Sequence, residues 1–168
     1  MQTSVGSGWA QRKIILVDAK FMNYVKLVKN ILDIAIKQSG INMAIDEDPY
    51  LINVMQSSKF PVFVCAPTEP QIERENYYEF HLTLYYIDRE QAANTEYGNA
   101  ETSNIHSAGI SILGNIIKKI RALDEVVDVD ETISYTLFND TEVFADRCNG
   151  VYTTITVIVP KDSNCATY

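Results

Sequence analysis

The chain has 168 residues, of which 46% are hydrophobic and 21% are charged, and this is enough apolar material to bury the core of one domain. Its formal net charge of −8 argues against nonspecific binding of nucleic acid, or of an anionic membrane, through an overall basic surface. No stretch approaches the roughly 20 apolar residues that a membrane-spanning helix needs.

The ends of the chain are small and polar in composition, and no apolar run near the start has the length of a secretory signal. The three cysteines match no metal-binding or redox spacing, so we expect reduced thiols in a protein made in the cytoplasm. We predict an N-terminal arm (residues 1–19), a single α+β domain (residues 20–160) and a C-terminal tail (residues 161–168). Such ends are usually frayed unless they are tied down, for instance on a neighbouring subunit.

Apolar residues at the start of the domain recur at three- and four-residue spacing, which is typical of one face of an α-helix. These residues are Phe21, Tyr24, Val25, Val28, Ile31, Leu32 and Ala35. We expect the helix to bury this stripe. It should end at Ser39-Gly40, because glycine readily adopts the left-handed conformation that terminates helices.

Two strand-like segments follow the first helix. The apolar run KFPVFVCAP contains Pro61, which cannot donate to a β-ladder, so we place it near a strand start or a sheet edge. The run YYEFHLTLYYID alternates between two kinds of side chain, which indicates a strand with one covered face. Phe80, Leu82 and Leu84 would point toward the core.

A polar segment, REQAANTEYGNAETSN, is predicted to be a long loop. A second helix begins near Thr102 or Ser103, either of which can cap it, and two strands, ETISYTLF and GVYTTITVIVP, close the domain. The order αββαββ predicts an α+β fold, in which an antiparallel sheet of about four strands carries both helices on one face.

Residues suited to catalysis or metal binding are few. His81 and His106 belong to no His-x-His, HExxH or CxxC pattern. Cys148 follows Arg147, which would lower a thiol pKa, but no histidine lies in the same segment, and a half-buried loop cysteine is the simpler interpretation. We therefore predict no catalytic, cofactor-binding or metal-binding residues, no cofactor and no enzymatic activity.

The acidic run LDEVVDVDE admits two interpretations. It lacks the glycine and the closing glutamate of an EF-hand, so one interpretation is a solvated turn between helix and strand. The other is that Asp128, Asp130 and Glu131 line a channel for DNA, where their charges repel phosphates and prevent nonspecific binding.

The connection between the last two strands is longer than an ordinary hairpin turn. It carries Phe144, Asp146 and Arg147, and Phe138 lies at its start. Because aromatic residues and arginine are enriched at protein interfaces, we predict that these four residues form a subunit interface. Packing on the domain's own sheet edge is the alternative.

Taken in order, these segments resemble the tail-terminator and neck-ring proteins of tailed bacteriophages. The resemblance covers about residues 20–160 and rests on NVMQSSKFPVFVCAP, FHLTLYYID, ILGNIIKKIRAL and FNDTEVFADRCNGVYTTITVIVP. It implies a non-enzymatic structural virion protein that forms a homo-oligomeric ring at the head–tail junction, between the capsid and portal side and the tail. The ring would contact other neck, portal or tail proteins, and DNA would pass through its centre without specific binding.

A closed ring needs a heterologous interface, in which one patch of a subunit meets a different patch of the next. The candidates are the sheet edge near Pro61, the loop between the last two strands and the loop from Arg89 to Asn104. The alternative function is a cytosolic small-ligand or regulatory binding module, which would use the polar strand face that carries His81, Thr83 and Tyr85.

Overall fold

The structure is a computed structural model, and it describes residues 23–49, 59–68, 70–89, 98–140 and 148–161. Within these ranges the chain forms two helices and seven strands. They are α1 (Tyr24–Ile36), β1 (Met43–Ile45), β2 (Val62–Pro67), β3 (Ile72–Glu73), β4 (Tyr77–Arg89), α2 (Gly98–Arg121), β5 (Asp128–Val129), β6 (Thr136–Asp140) and β7 (Cys148–Pro160).

The sheet differs from the predicted one. The expected αββαββ order with about four antiparallel strands is wrong, because the sheet has seven strands and is mixed, with β1 parallel to β2. The strands follow the path β1-β2-β4-β7-β5, while β3 pairs with β4 and β6 pairs with β7. The strands that sequence analysis missed, β1, β3 and β5, have three residues or fewer, which is too short for a period-two pattern to be recognised.

The two longest strands, β4 and β7, form the centre of the sheet. All 13 residues of β4 are paired with β7, from Tyr77 opposite Pro160 to Arg89 opposite Cys148. Alternate residues of both strands are buried in the main core: Phe80, Leu82, Leu84 and Tyr86 on β4, and Val151, Ile155, Val157 and Val159 on β7. The core therefore lies on one face of these two strands.

Helix α1 is capped by Asn23, whose Oδ1 accepts a hydrogen bond from the backbone N–H of Lys26 at 2.8 Å. Its buried residues are Leu27, Val28, Ile31 and Ala35. Val25 was expected in the buried stripe, and this is wrong, because its side chain is 74% exposed. The helix stops before Gly40, which takes a positive φ of 91°.

Helix α2 begins at Gly98, earlier than the predicted Thr102 or Ser103. It packs on β4 and β7 through Ile105, Leu113, Ile116, Ile117 and Ile120. Gly109 permits this close approach, because a Cβ there would lie 2.8 Å from Val151 and 2.9 Å from Tyr86. No helix within the described ranges is both long enough and apolar enough to cross a membrane.

Both helices pack on the same face of the sheet, in one core cluster. We call the opposite face the open face. A second, smaller apolar cluster lies there, and its buried members are Val62, Val64, Ile87 and Cys148. No helix residue of the described ranges belongs to this cluster. The described residues therefore form two layers, a helix layer and a sheet layer.

Candidate subunit interface

Three aromatic side chains form a row across the open face. Tyr85 on β4 lies 5.4 Å from Tyr152 on β7, and Tyr152 lies 6.3 Å from Phe138 on β6, measured between ring centroids. We call these residues the aromatic row. All three are only partly buried. Side chains of this kind, apolar and accessible at once, are enriched at protein interfaces.

Phe138, the first of the predicted interface residues, is held by its own domain. Its ring lies above Gly150, where a Cβ would come 2.5 Å from the Phe138 Cζ. Its backbone carbonyl oxygen lies 3.2 Å from Nε2 of His106 on α2. Part of the Phe138 side chain thus packs on its own domain, as in the alternative interpretation of the sequence. The role of Phe138 at a subunit interface stays a prediction. Phe144, Asp146 and Arg147 lie outside the described residues.

The acidic residues of the predicted channel lie in and after β5, and all three are exposed. Oδ2 of Asp130 accepts a hydrogen bond from the backbone N–H of Thr156 at 2.7 Å. Nη2 of Arg121 donates to the carbonyl oxygens of Asp130 and Glu131, while Oδ1 of Asp128 accepts from the N–H of Val129 at 2.8 Å. Asp130 therefore fixes the turn, and the carboxylates of Asp128 and Glu131 remain the better candidates for a channel wall.

The candidate edge at Pro61 is corrected by the structure. Pro61 directly precedes β2, so it lies at a strand start. The outer side of β2 is paired with β1, with Met43 opposite Val62. The outer strands of the described sheet are instead β1 at one end and β5 with β6 at the other. Unpaired strand edges readily accept another chain, so these edges replace the one near Pro61 as candidates.

Large apolar side chains outside the core are the functional feature that sequence analysis missed. Among the described residues they are Val25, Val127, Leu137, Ile36 and Ile110. Val25 and Ile36 lie on α1, and Leu137 lies on the edge strand β6, where it is 50% exposed. The sequence signal for Val25 was the width of the apolar face predicted for α1, which exceeds the arc of a helix that one sheet covers.

A groove at the ends of β1 and β2 has a volume of about 420 Å³. Its acidic rim consists of Asp46, Glu47 and Asp48, and its apolar wall includes Pro49, Pro67 and Tyr85. We call it the acidic groove. Because Tyr85 also belongs to the aromatic row, the groove extends the accessible apolar surface of the open face to the β1 edge of the sheet.

The polar strand face of the alternative function is largely occupied by its own contacts. The hydroxyl of Thr83 lies 2.5 Å from that of Thr68 and 3.1 Å from that of Thr154, and Nδ1 of His81 lies 3.3 Å from the Thr156 hydroxyl. The His81 Nε2 atom is buried and has no hydrogen-bond partner among the described residues. The polar atoms of His81 and Thr83 are therefore either paired within the domain or buried.

The amide of Gln71 fills the gap between β2 and β3. Its Nε2 donates to the carbonyl oxygens of Thr68 and His81, and its Oε1 accepts from the N–H of His81, all at 2.8–2.9 Å. The Gln71 side chain thus makes hydrogen bonds to the backbone of β4 that a residue of a neighbouring strand would otherwise make. These hydrogen bonds fix the backbone of His81. They also occupy the amide group of Gln71.

The two described cysteines are both buried. Cys148 is 1% exposed and is the first residue of β7, so the expectation of a half-buried loop cysteine is wrong, and Arg147 lies outside the described residues. Burial and, secondarily, the charge of Asp46 raise the pKa of Cys65 to about 12, which disfavours the nucleophilic thiolate. His81 pairs with Thr156, eight residues along β7 from Cys148, which is about 26 Å at about 3.3 Å per residue. Within the described ranges no three acidic, histidine or cysteine residues gather as metal ligands.

A scan against models of known protein families finds no match to the chain, and a search of curated proteins finds none either. These comparisons therefore assign no function to any residue of the chain.

Proposed function

We propose that this chain is a structural virion protein, which forms a homo-oligomeric ring at the head–tail junction of a tailed phage. DNA passes through the centre of the ring, and other neck, portal or tail proteins flank it. The observation that carries the proposal is the set of large apolar side chains that stay exposed among the described residues, which includes Val25 on α1 and Leu137 on the edge strand β6. Apolar surface that a folded domain leaves accessible commonly marks a protein–protein contact.

The arrangement of these surfaces suits a closed ring. Exposed apolar residues occur on the helix layer (Val25, Ile36), while the aromatic row lies on the open face. The two outer strands, β1 and β6, lie at opposite ends of the sheet. A heterologous interface joins two different patches of identical subunits, and this domain offers different patches on both layers.

The segment order that resembles tail-terminator and neck-ring proteins supports the specific location in the virion. The charge of the chain supports the passage of DNA. A net charge of −8 and the exposed carboxylates of Asp128 and Glu131 would repel phosphates and keep DNA moving. The non-enzymatic part of the proposal is supported by the high pKa of Cys65 and by the burial of Cys148.

Locating the protein in particles tests the proposal. Virions of a phage that encodes this chain are labelled with an antibody against it and imaged by electron microscopy, and their proteins are quantified by mass spectrometry. We expect label at the head–tail junction and several copies per particle. Label on the capsid faces or the tail fibres, or the complete absence of the chain from purified particles, would overturn the proposal.

A small-ligand binding module is the second candidate, and the acidic groove favours it, because Tyr85 of the predicted polar face lines it. The volume of the groove is about 420 Å³, within the usual range of about 300–1,000 Å³ for ligand pockets. A thermal-shift screen of small metabolites tests it. A shift that Tyr85→Ala abolishes, without a change in the unliganded melting temperature, would favour this function over the ring.

A further inference from the structure

Charge is distributed unevenly between the helix layer and the rest of the chain. The two helices carry five basic side chains (Lys26, Lys29, Lys118, Lys119, Arg121) and two acidic ones (Asp33, Glu101), a net charge of +3. Because the whole chain carries −8, the remaining residues carry −11. The helix layer of one copy is therefore attracted to the acidic parts of another copy.

One side of α1 combines basic and apolar residues. Val25, Lys29 and Ile36 lie within about 40° of each other around the helix axis, at about 100° per residue. Val25 is 74% and Ile36 46% exposed, and Lys29 and the C-cap residue Lys37 are exposed as well. Neither lysine forms an ion pair with a described residue. Lys37 lies at the end of the helix, about 80° around the axis from Lys29, and so flanks this side. We call these four residues the α1 stripe.

The acidic groove has the complementary character. Asp46 and Glu47 on its rim are exposed, and Tyr85 supplies an aromatic wall. Tyr85 lies opposite Val64 on β2, so its side chain is on the open face, whereas α1 packs on the other face of the sheet. The Tyr85 wall of the groove is therefore on the open face, whereas Asp46 lies near Tyr24 of α1 and Cys65 of the main core, where burial raises the pKa of both and the charge of Asp46 adds to this effect. The α1 stripe and the acidic groove are two different patches of the domain surface.

We infer that the α1 stripe of one copy docks in the acidic groove of the next copy, with Lys29 and Lys37 facing Asp46 and Glu47. The inference rests on the proposed ring and names the contact that builds it. Docking places a helix at the ends of β1 and β2, against the Tyr85 wall of the groove. Since the two patches consist of different residues, each copy both donates a stripe and offers a groove, and the contact is heterologous.

Charge reversal on each patch tests the pairing. We compare the full-length chain with Lys29→Glu/Lys37→Glu, with Asp46→Lys/Glu47→Lys, and with the quadruple variant that carries all four changes. Assembly is measured by mass photometry and sedimentation velocity. We expect each double variant to assemble roughly tenfold or more weakly, because like charges then face each other. The quadruple variant restores opposite charges at every contact, and we expect it to assemble like the wild type.

Two further variants separate docking from folding and from total charge. Lys118→Glu/Lys119→Glu makes the same charge change on exposed positions of α2 and should leave assembly unchanged. Val25→Asp should abolish assembly while circular dichroism and the melting temperature stay near the wild-type values, because the side chain lies outside the core.

The outcomes distinguish this inference from the proposed function. Wild-type rings together with double variants that assemble normally, or a quadruple variant that stays dissociated, would overturn the docking contact and leave the ring proposal standing. A wild-type chain that is monomeric at every concentration and in every particle would overturn both.

Discussion

The Phe138 ring on β6 occupies the space directly above Gly150 on β7, where a Cβ would lie 2.5 Å from the Phe138 Cζ. Gly150 is also opposite Phe138 in the register of the two strands. The absence of a side chain at position 150 therefore sets how closely the aromatic row packs on the sheet. It links the edge strand β6 to the centre of the fold.

We expect Gly150→Ala to lower the free energy of unfolding by about 3 kcal/mol or more, because the added methyl group would meet the Phe138 ring and, closer still, the backbone carbonyl oxygen of Tyr86. Denaturant unfolding of the wild type and the variant measures this. Phe138→Leu is the matched background: it should remove the part of the cost that comes from the ring, while the clash with the Tyr86 carbonyl remains. Fully additive effects of the two substitutions would show that Phe138 and Gly150 do not contact each other in solution.

The carboxylate of Asp130 is expected to be structural. It accepts a hydrogen bond from the Thr156 N–H at 2.7 Å, so Asp130→Ala should destabilise the domain by about 1 kcal/mol, a typical net value for one hydrogen bond. Asp128→Ala should stay within about 0.5 kcal/mol of the wild type, because its carboxylate only accepts from the adjacent residue. Thermal unfolding of both variants checks this, and equal effects would contradict it.

Repulsion of DNA is expected to depend on Asp128 and Glu131. Asp128→Lys/Glu131→Lys leaves the Asp130 hydrogen bond intact and raises the net charge by four at exposed positions, since two negative charges are replaced by two positive ones. We expect measurable binding of double-stranded DNA by this variant, weakened steeply by salt, and none by the wild type. Glu73→Lys/Glu75→Lys changes the charge equally elsewhere. If the two variants bind DNA equally, the effect reflects net charge and not a channel wall.

Alkaline pH is expected to destabilise the domain through Cys65. Burial holds the Cys65 pKa at about 12 in the folded chain, compared with an ordinary value of 9.0. Between pH 9 and about 12 the unfolded state binds fewer protons than the folded state, so stability falls by up to about 1.4 kcal/mol per pH unit. Denaturant titrations of the wild type and Cys65→Ala at pH 8 and 10 measure it. The stability difference between the two proteins should shift with pH, and a constant difference would contradict the assignment.

The sequence was sufficient where a pattern was long. The YYEFHLTLYYID run predicts β4 because its alternation persists over many residues, and β-branched residues mark β7. The sequence was insufficient for β1, β3 and β5, which have only two or three residues. The position of such a short strand is determined by the strand with which it pairs. For this reason the strand number and the mixed pairing were predicted wrongly.

The candidate interface was only partly visible in the sequence. Phe138 stands out as an aromatic residue beside a long connection, but its contact with Gly150 depends on the register of β6 and β7. Val25 was assigned to the buried stripe, because helical spacing shows which residues share a face and not how much of that face the sheet covers. The acidic groove joins β1, β2 and β4, which are distant in the chain, so no local pattern marks it.

The most direct test of the ring proposal is the assembly state of the purified full-length chain, measured by mass photometry and negative-stain imaging over a wide concentration range. The account predicts a closed species of one defined mass, an integer multiple of the 19.0 kDa chain, with a central opening. A single species of 19.0 kDa at every concentration, with no ring in images of the protein or of particles that contain it, would contradict it.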